Sequence, residues 1–281
     1  MGYIGQHLVS VVTGYPGGGS GARGDDLVLS NGGKGEIKTC YRVDQLGKCL
    51  NKSCGATITS IESECPACHG TLIKRNNDSK WLLAVKTDKD FEEVLQPERY
   101  YLVLFEFEDI GKNALDAIVA YIWEVNPTAP GFAYCMIDYK LNIQSNSKSG
   151  APFNLWPWSP KFYMMKPKLI YQAVIHGENV ETLVFPKDPA VPGPVYTPFP
   201  DLVSQVGKDT ITPEALQRVA KELHLSTSGS KKELAARIEN ARRAIPNDQF
   251  CDLLAKAIYT PLIQQRMHLV PKAVLDRTPP L

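Results

Sequence analysis

The sequence has no apolar run approaching the roughly 18 residues that a membrane span needs. Its first residues, Met1-Gly2-Tyr3-Ile4-Gly5-Gln6-His7, carry neither the basic region nor the apolar stretch of a secretory signal. A cytoplasmic protein is the expectation. Basic charge is not in excess either: 31 Lys and Arg stand against 30 Asp and Glu. The chain is therefore not a uniformly basic coat for nucleic acid, and any contact with it runs through local patches. Gly14 to Gly24 is glycine-rich but lacks the Gly-Lys-Ser/Thr that opens the helix of a phosphate-cradling loop. It runs instead into the strand-like Asp25-Asp26-Leu27-Val28-Leu29, so nucleotide binding is not expected. There are no internal repeats, and no Cys–His pair has the spacing of a nucleophile and its base.

What is present is an ordinary globular composition. Hydrophobic residues make up 43% and charged residues 22% of 281, enough for one large domain or two smaller ones. The small net charge hides an asymmetry. Residues 201–281 hold 12 Lys and Arg against 9 Asp and Glu, while residues 1–200 hold 19 against 21. By charge, the C-terminal part is the better candidate for a nucleic-acid contact.

Cysteine placement says more. Cys49, Cys54, Cys65 and Cys68 fall in a C-x4-C-x10-C-x2-C pattern. Two close pairs bracketing a short hairpin can aim four thiolates at one tetrahedral Zn²⁺. Thr57 to Ile61 alternates like a strand, and Gly55 and Gly70 sit where tight turns leave the pairs. Two disulfides would need an oxidising compartment, for which no signal sequence speaks. His69 or Cys40 could stand in for one ligand. A site of four cysteines leaves no open position, so such a zinc is structural and does not name an activity. Cys40, Cys135 and Cys251 read as structural.

Apolar patterning gives a coarse order of elements. Residues 4–13 read as a first helix. Asp26 to Leu29 and Gly35 to Val43 read as two strands joined by the turn Ser30-Asn31-Gly32-Gly33-Lys34. Trp81 to Thr87, Tyr100 to Glu106 and Phe132 to Tyr139 read as further strands, and Asn113 to Trp123 as a helix. An α/β fold is the expectation. Six prolines between Pro186 and Pro200 mark a linker or an extended arm. Beyond it, Pro213 to Leu223 and Lys231 to Arg243 read as two helices, the first with Thr212 as its N-cap. The segment Ala151 to Trp158, rich in aromatics and prolines, reads as a rigid packing loop rather than a wedge into a groove.

One constellation carries chemistry. In a strand, residues two apart share a face, so Glu36 and Lys38 project together while Ile37 points to the core. Pairing the hairpin brings Asp26 towards Glu36. Converging carboxylates repel unless a cation lies between them, and Mg²⁺ prefers such oxygen ligands. A lysine beside them can hold or polarise a water. Together these are the parts of a metal-assisted phosphodiester hydrolysis site. Two other acid-x-Lys triplets, Asp78-Ser79-Lys80 and Asp138-Tyr139-Lys140, compete with it. Only Glu36-Ile37-Lys38 follows an aspartate and its strand across a short Gly turn.

This pattern resembles the PD-(D/E)XK nuclease superfamily. The resemblance implies a mixed sheet flanked by helices, with Asp26 and Glu36 as Mg²⁺ ligands, Lys38 as the third catalytic residue, and the carbonyl of Ile37 as a further ligand. Asp25 stands where many members have proline, so either aspartate could be the ligand. Gln6 lies roughly where many members carry a glutamate. Arg23, in the glycine-rich loop, is a candidate DNA contact.

The C-terminal stretch Thr212 to Ile238 is similar to SAP-type helix–loop–helix modules, which bind DNA. Leu216, Val219, Leu223, Leu234 and Ile238 would form its core. Ser228, Lys231 and Lys232 would meet phosphates at the second helix N-terminus. The combination resembles type II restriction endonucleases, MamI-like enzymes among them. Those cut double-stranded DNA, and a symmetric site implies a homodimer. The expected layout is a nuclease core at 1–185 with the zinc insertion at about 46–73. A Pro-rich linker at 186–208, the SAP-like module at 209–243 and a helical tail at 244–281 would follow. A junction- or damage-specific nuclease and a non-catalytic zinc-containing DNA-binding regulator are the alternatives.

Overall fold

The computed structural model describes residues 2–17, 26–41, 47–59, 62–75, 79–109, 114–147, 150–208 and 210–281. Along the chain run α1 (Gly2–Thr13), β1 (Leu27–Val28), β2 (Lys34–Tyr41), β3 (Gly47–Cys49), β4 (Thr57–Ile58), β5 (Ile73–Lys74) and β6 (Trp81–Leu83). There follow α2 (Asp88–Glu93), β7 (Arg99–Asp109), β8 (Ala114–Val125), α3 (Pro130–Asp138), β9 (Phe153–Leu155) and α4 (Pro160–Met164). The last are β10 (Lys168–His176), β11 (Asn179–Val184), β12 (Val195–Tyr196), α5 (Leu202–Gln205), α6 (Pro213–Glu222), α7 (Lys231–Arg242), α8 (Asn247–Ile263) and α9 (Lys272–Leu275). The α/β class expected from the sequence is the one observed.

Two units divide the chain, and both are discontinuous. The first takes residues 1–81, 100–124 and 168–195, the second 82–99, 125–167 and 196–281. The first holds a seven-stranded sheet in the order β1-β2-β7-β8-β10-β11, with β12 also on β10, and the separate sheet β4-β3-β5. Its core lies between α1 and one sheet face, where Val9 and Val12 meet Leu27, Ile37, Tyr101, Val103 and Ile122. Glycine at position 5 permits that approach, because a Cβ there would collide with the side chain of Thr39. Ile37 and Thr39 thus face the helix, and the alternation of β2 turns Glu36 and Lys38 to the opposite face.

Two expectations are corrected. Where a helix is expected over Asn113 to Trp123, Asn113 lies outside the described residues and Ala114 to Val125 is strand β8. It lies between β7 and β10, and its residues from Ala117 to Val125 are mostly buried on both sides. A strand covered on both faces reads as a continuous apolar run with no period of two, which periodicity cannot tell from a helix. Conversely, Phe132 to Tyr139 lies in helix α3 and the turn after it, not in a strand. Every residue from Gly131 to Asp138 is buried, so the helix shows no polar face. Pro130 at its first position was the start signal that the apolar run masked.

The second unit is built on α3 and α8 with α4, α6 and α7 around them. Leu216, Val219, Leu234 and Ile238 are buried between α6 and α7. The chain just before is held rather than loose: Arg242 donates to the carbonyls of Phe199 and Pro200, each at 3.0 Å. The Leu202 N–H donates to Glu239 at 2.8 Å.

Gly131 marks the tightest approach in this unit. A Cβ there would run into the main-chain carbonyl of Met164, which no side-chain rotation can relieve. In an open helix, Gly→Ala stabilises by about 1 kcal/mol. Here Gly131→Ala should destabilise by about 2 kcal/mol, the usual cost of overpacking. Urea denaturation of the two proteins measures the sign.

Candidate active site and metal-binding module

The hairpin β1–β2 pairs Leu27 with Gly35 and Val28 with Lys34. Two residues beyond Gly35, the N–H of Ile37 has its ladder position at the end of β1. The Asp26 carboxylate takes that place: Ile37 donates to Oδ2 at 2.8 Å. In an antiparallel ladder a residue turns its N–H and C=O to the same neighbour, so the Ile37 carbonyl faces the edge on which Asp26 lies.

On the next residues, Lys38 Nζ lies 2.5 Å from Glu36 Oε1, with both side chains about 30% exposed (29% and 30%). Asp26, Glu36 and Lys38 are thus brought to one place, half open to solvent. Among the described residues, Asp26 Oδ1 and Glu36 Oε2 have no hydrogen-bond partner, leaving one oxygen of each for a cation. No third carboxylate, histidine or cysteine joins them there among the described residues.

Two neighbours had little or no signal in the sequence. Gln6, on α1, donates from Nε2 to the main-chain carbonyl of Asp26 at 2.9 Å. It occupies the region where the resemblance implies a glutamate, and it holds the backbone that carries the acid. Tyr100, at the start of β7, is buried, and its phenol is pushed well above the usual range by burial, then by the fields of Glu36 and Asp26. It is a neutral hydroxyl near two carboxylates, and nothing in the run Arg99-Tyr100-Tyr101 announced it.

The competing triplets fare differently. Asp138 ends α3 and Lys140 lies in the π-helical turn that continues it, and residues two apart on a helix do not face each other. Asp138 is buried and accepts from Asn142 at 2.9 Å; burial raises its pKa. Lys140 pairs with Asp88 at 3.1 Å and donates to the Lys86 carbonyl at 3.2 Å. Asp78, Asp25 and Arg23 lie outside the described residues.

The four cysteines converge. Their sulfurs all lie within 4.8 Å of one another. Cys49–Cys68 and Cys54–Cys65 are 3.7 and 3.6 Å apart, far beyond a disulfide. Four sulfurs at about 2.3 Å from a tetrahedral centre stand about 3.8 Å apart, so the cluster has the dimensions of a zinc site. Two knuckles shape it. Cys54 N–H donates to Asn51 O at 2.9 Å with Gly55 at φ +59°, and His69 N–H donates to Cys65 O at 2.7 Å with His69 at φ +58°.

Around the sulfurs, the Gly70 N–H favours the thiolate of Cys68 and brings it down to about 7. The Asn51 N–H acts likewise on Cys49, but burial and the neighbouring sulfurs outweigh it and push that thiol up to about 11. Neither alternative ligand joins the group: His69 turns outward towards Glu64 at 3.9 Å, and Cys40 is buried on β2.

In the C-terminal module, Thr212 and Ser230 cap α6 and α7. Ser230 forms a capping box with Glu233, and Arg237 donates to the carbonyls of Ser226 and Ser228 at 2.6 and 3.0 Å. The loop is therefore fixed where Ser228 and Lys232 are exposed and Lys231 half-buried.

No curated protein and no solved structure matches the chain. Among family comparisons, the MamI restriction endonuclease family matches residues 1–194, a span that takes in the β1–β2 hairpin, the cysteine cluster and every strand as far as β11. With more than half its length so matched, the chain belongs to the MamI restriction endonuclease family.

Proposed function

We propose that the protein is a Mg²⁺-dependent type II endonuclease that hydrolyses phosphodiester bonds of double-stranded DNA at a specific site. The observation that carries the reading is the Asp26 carboxylate hydrogen-bonded to the N–H of Ile37, between the paired Glu36 and Lys38. Asp26 and Glu36 would hold Mg²⁺ through the oxygens left over, with the Ile37 carbonyl beside them. When bound, the ion supplies positive charge against the scissile phosphate and makes a bound water more acidic.

The chain's own groups do the rest. Lys38 donates a hydrogen bond to a water oxygen and orients it in line with the ester bond. Its charge opposes the negative charge that grows on phosphate as the new P–O bond forms and the ester P–O bond breaks. Gln6 keeps Asp26 at the strand edge. The cysteine module holds Zn²⁺ and stabilises its own small sheet, since a four-thiolate site has no open position for chemistry. A homodimer would set one such site on each strand of a symmetric target. Ser228, Lys231 and Lys232, with Arg23, would hold DNA by its phosphates, which supply affinity without base readout.

Replacing Glu36 or Lys38 with Ala should lower Mg²⁺-dependent nicking of supercoiled plasmid about a thousandfold, while anisotropy shows DNA still bound. Cutting by either variant at the wild-type rate would refute the assignment.

Elemental analysis should find one zinc per chain in protein prepared without chelators. Cys65→Ser or Cys68→Ser should lose it and raise amide exchange in residues 47–75, leaving β7 and β8 protected. Because thiolates are the ligands, zinc affinity should fall as pH falls.

Lys231→Ala with Lys232→Ala should flatten the slope of log K against log[salt] by about 2, for any DNA sequence alike. If the pair instead serves dimerisation, the slope stays and the scattering mass falls.

A further inference from the structure

The loop Ala151 to Trp158 divides in two. Phe153 and Leu155, at 1% and 0% exposure, enter the core of the second unit, as a packing loop should. Trp156 and Trp158 do not: they are 40% and 37% exposed, whereas the other two tryptophans, Trp81 and Trp123, are 0% and 1% exposed. Leaving more than a third of each residue's surface in water forgoes stabilisation that full burial would give. The backbone adds a second cost, because Trp158 sits at φ +60°, a region that bulky residues rarely enter. Strain of this kind persists only where the surroundings over-determine it, and it gathers at binding sites.

The surroundings do fix it. Ser159 caps α4 and donates from its hydroxyl to the Trp156 carbonyl at 2.7 Å. The Trp158 ring is set edge-on against Phe162, with centroids 5.8 Å apart.

The two indoles line a hollow of about 580 Å³ with Pro157, Pro160 and a short stretch that includes Lys208. Lys208 is exposed, and Lys161 stands at the wall with Nζ 5.4 Å from the Phe153 ring. Gly207 and Thr210 complete this side of the lining, and Asp209 between Lys208 and Thr210 lies outside the described residues. Thr212, four residues after Lys208 in sequence, is the N-cap of α6. Flat aromatic faces beside a cation are what a nucleotide offers its π-face and its phosphate to.

We propose that this hollow is a second DNA contact, in which Trp156 and Trp158 stack on a base or sugar of the bound strand and Lys208 pairs with its phosphate. The proposal rests on the reading of the chain as a DNA endonuclease and adds a contact apart from Asp26, Glu36 and Lys38.

The test uses the full-length protein, a mixed-sequence labelled duplex and no divalent cation. Binding is read by anisotropy, and tryptophan emission is read in the same titration. With Trp81 and Trp123 buried, emission should fall in step with binding through Trp156 and Trp158 alone. Trp156→Ala and Trp158→Ala should each weaken binding roughly fivefold or more, and Lys208→Ala should lower the salt slope by about one. DNA bound with no change in wild-type emission, by protein that cuts the same DNA once Mg²⁺ is added, overturns the hollow and spares the endonuclease reading. That arm needs no variant, so it stands even where a substitution disturbs folding. Doubly substituted protein that melts like wild type and binds as tightly overturns it too. Failure of the wild type to bind DNA at low salt overturns both.

Discussion

A single hydrogen bond, from the N–H of Ile37 to the carboxylate of Asp26, sets the geometry on which the candidate site depends. In the hairpin register Ile37 falls beyond Leu27, the first residue of β1, and there the Asp26 carboxylate accepts its N–H. A buried or half-buried N–H must be paired. An aspartate one residue before the strand has the right reach to do so. The bond puts a carboxylate at the strand edge beside Glu36, which the alternation of β2 already turns to the same open face as Lys38. Structural need and chemical arrangement are met by the same group.

That arrangement is buttressed from the other side of the sheet. The close approach of α1 at Gly5 seats the helix on Ile37 and Thr39, and the next residue, Gln6, reaches the Asp26 carbonyl at 2.9 Å. One helix therefore covers the apolar face of β2 and fixes the backbone of the acid. The cysteine module has its own source of order: its core of Cys49, Ile58, Cys65 and Ile73 is too small to fold by burial alone, and a bound metal would supply the rest.

What could be read in the sequence follows the range of the interactions. The hairpin, the cysteine spacing and the capped helices α6 and α7 are local, so residues near in sequence announce them. The strand β8 and the helix α3 run against the sequence pattern because α3 is buried from Gly131 to Asp138 and β8 mostly buried from Ala117 to Val125, and burial erases the polar half of the pattern that separates the two periods. That Asp26, Glu36 and Lys38 come close together is legible because a short turn joins their strands. Tyr100, some 60 residues later in the chain, reaches them only through sheet order, and no spacing could show it. The exposed Trp156 and Trp158 were hidden differently: an aromatic, proline-rich loop looks the same in sequence whether its rings turn in or out.

The proposed function requires this hairpin to cut DNA at defined positions. The most direct measurement is to digest a sequenced plasmid with the wild-type protein and Mg²⁺ and to sequence every end produced. A site-specific endonuclease gives a discrete set of fragments whose ends fall at one recurring, symmetric sequence. Plasmid left intact, or ends scattered without a shared sequence, would contradict it.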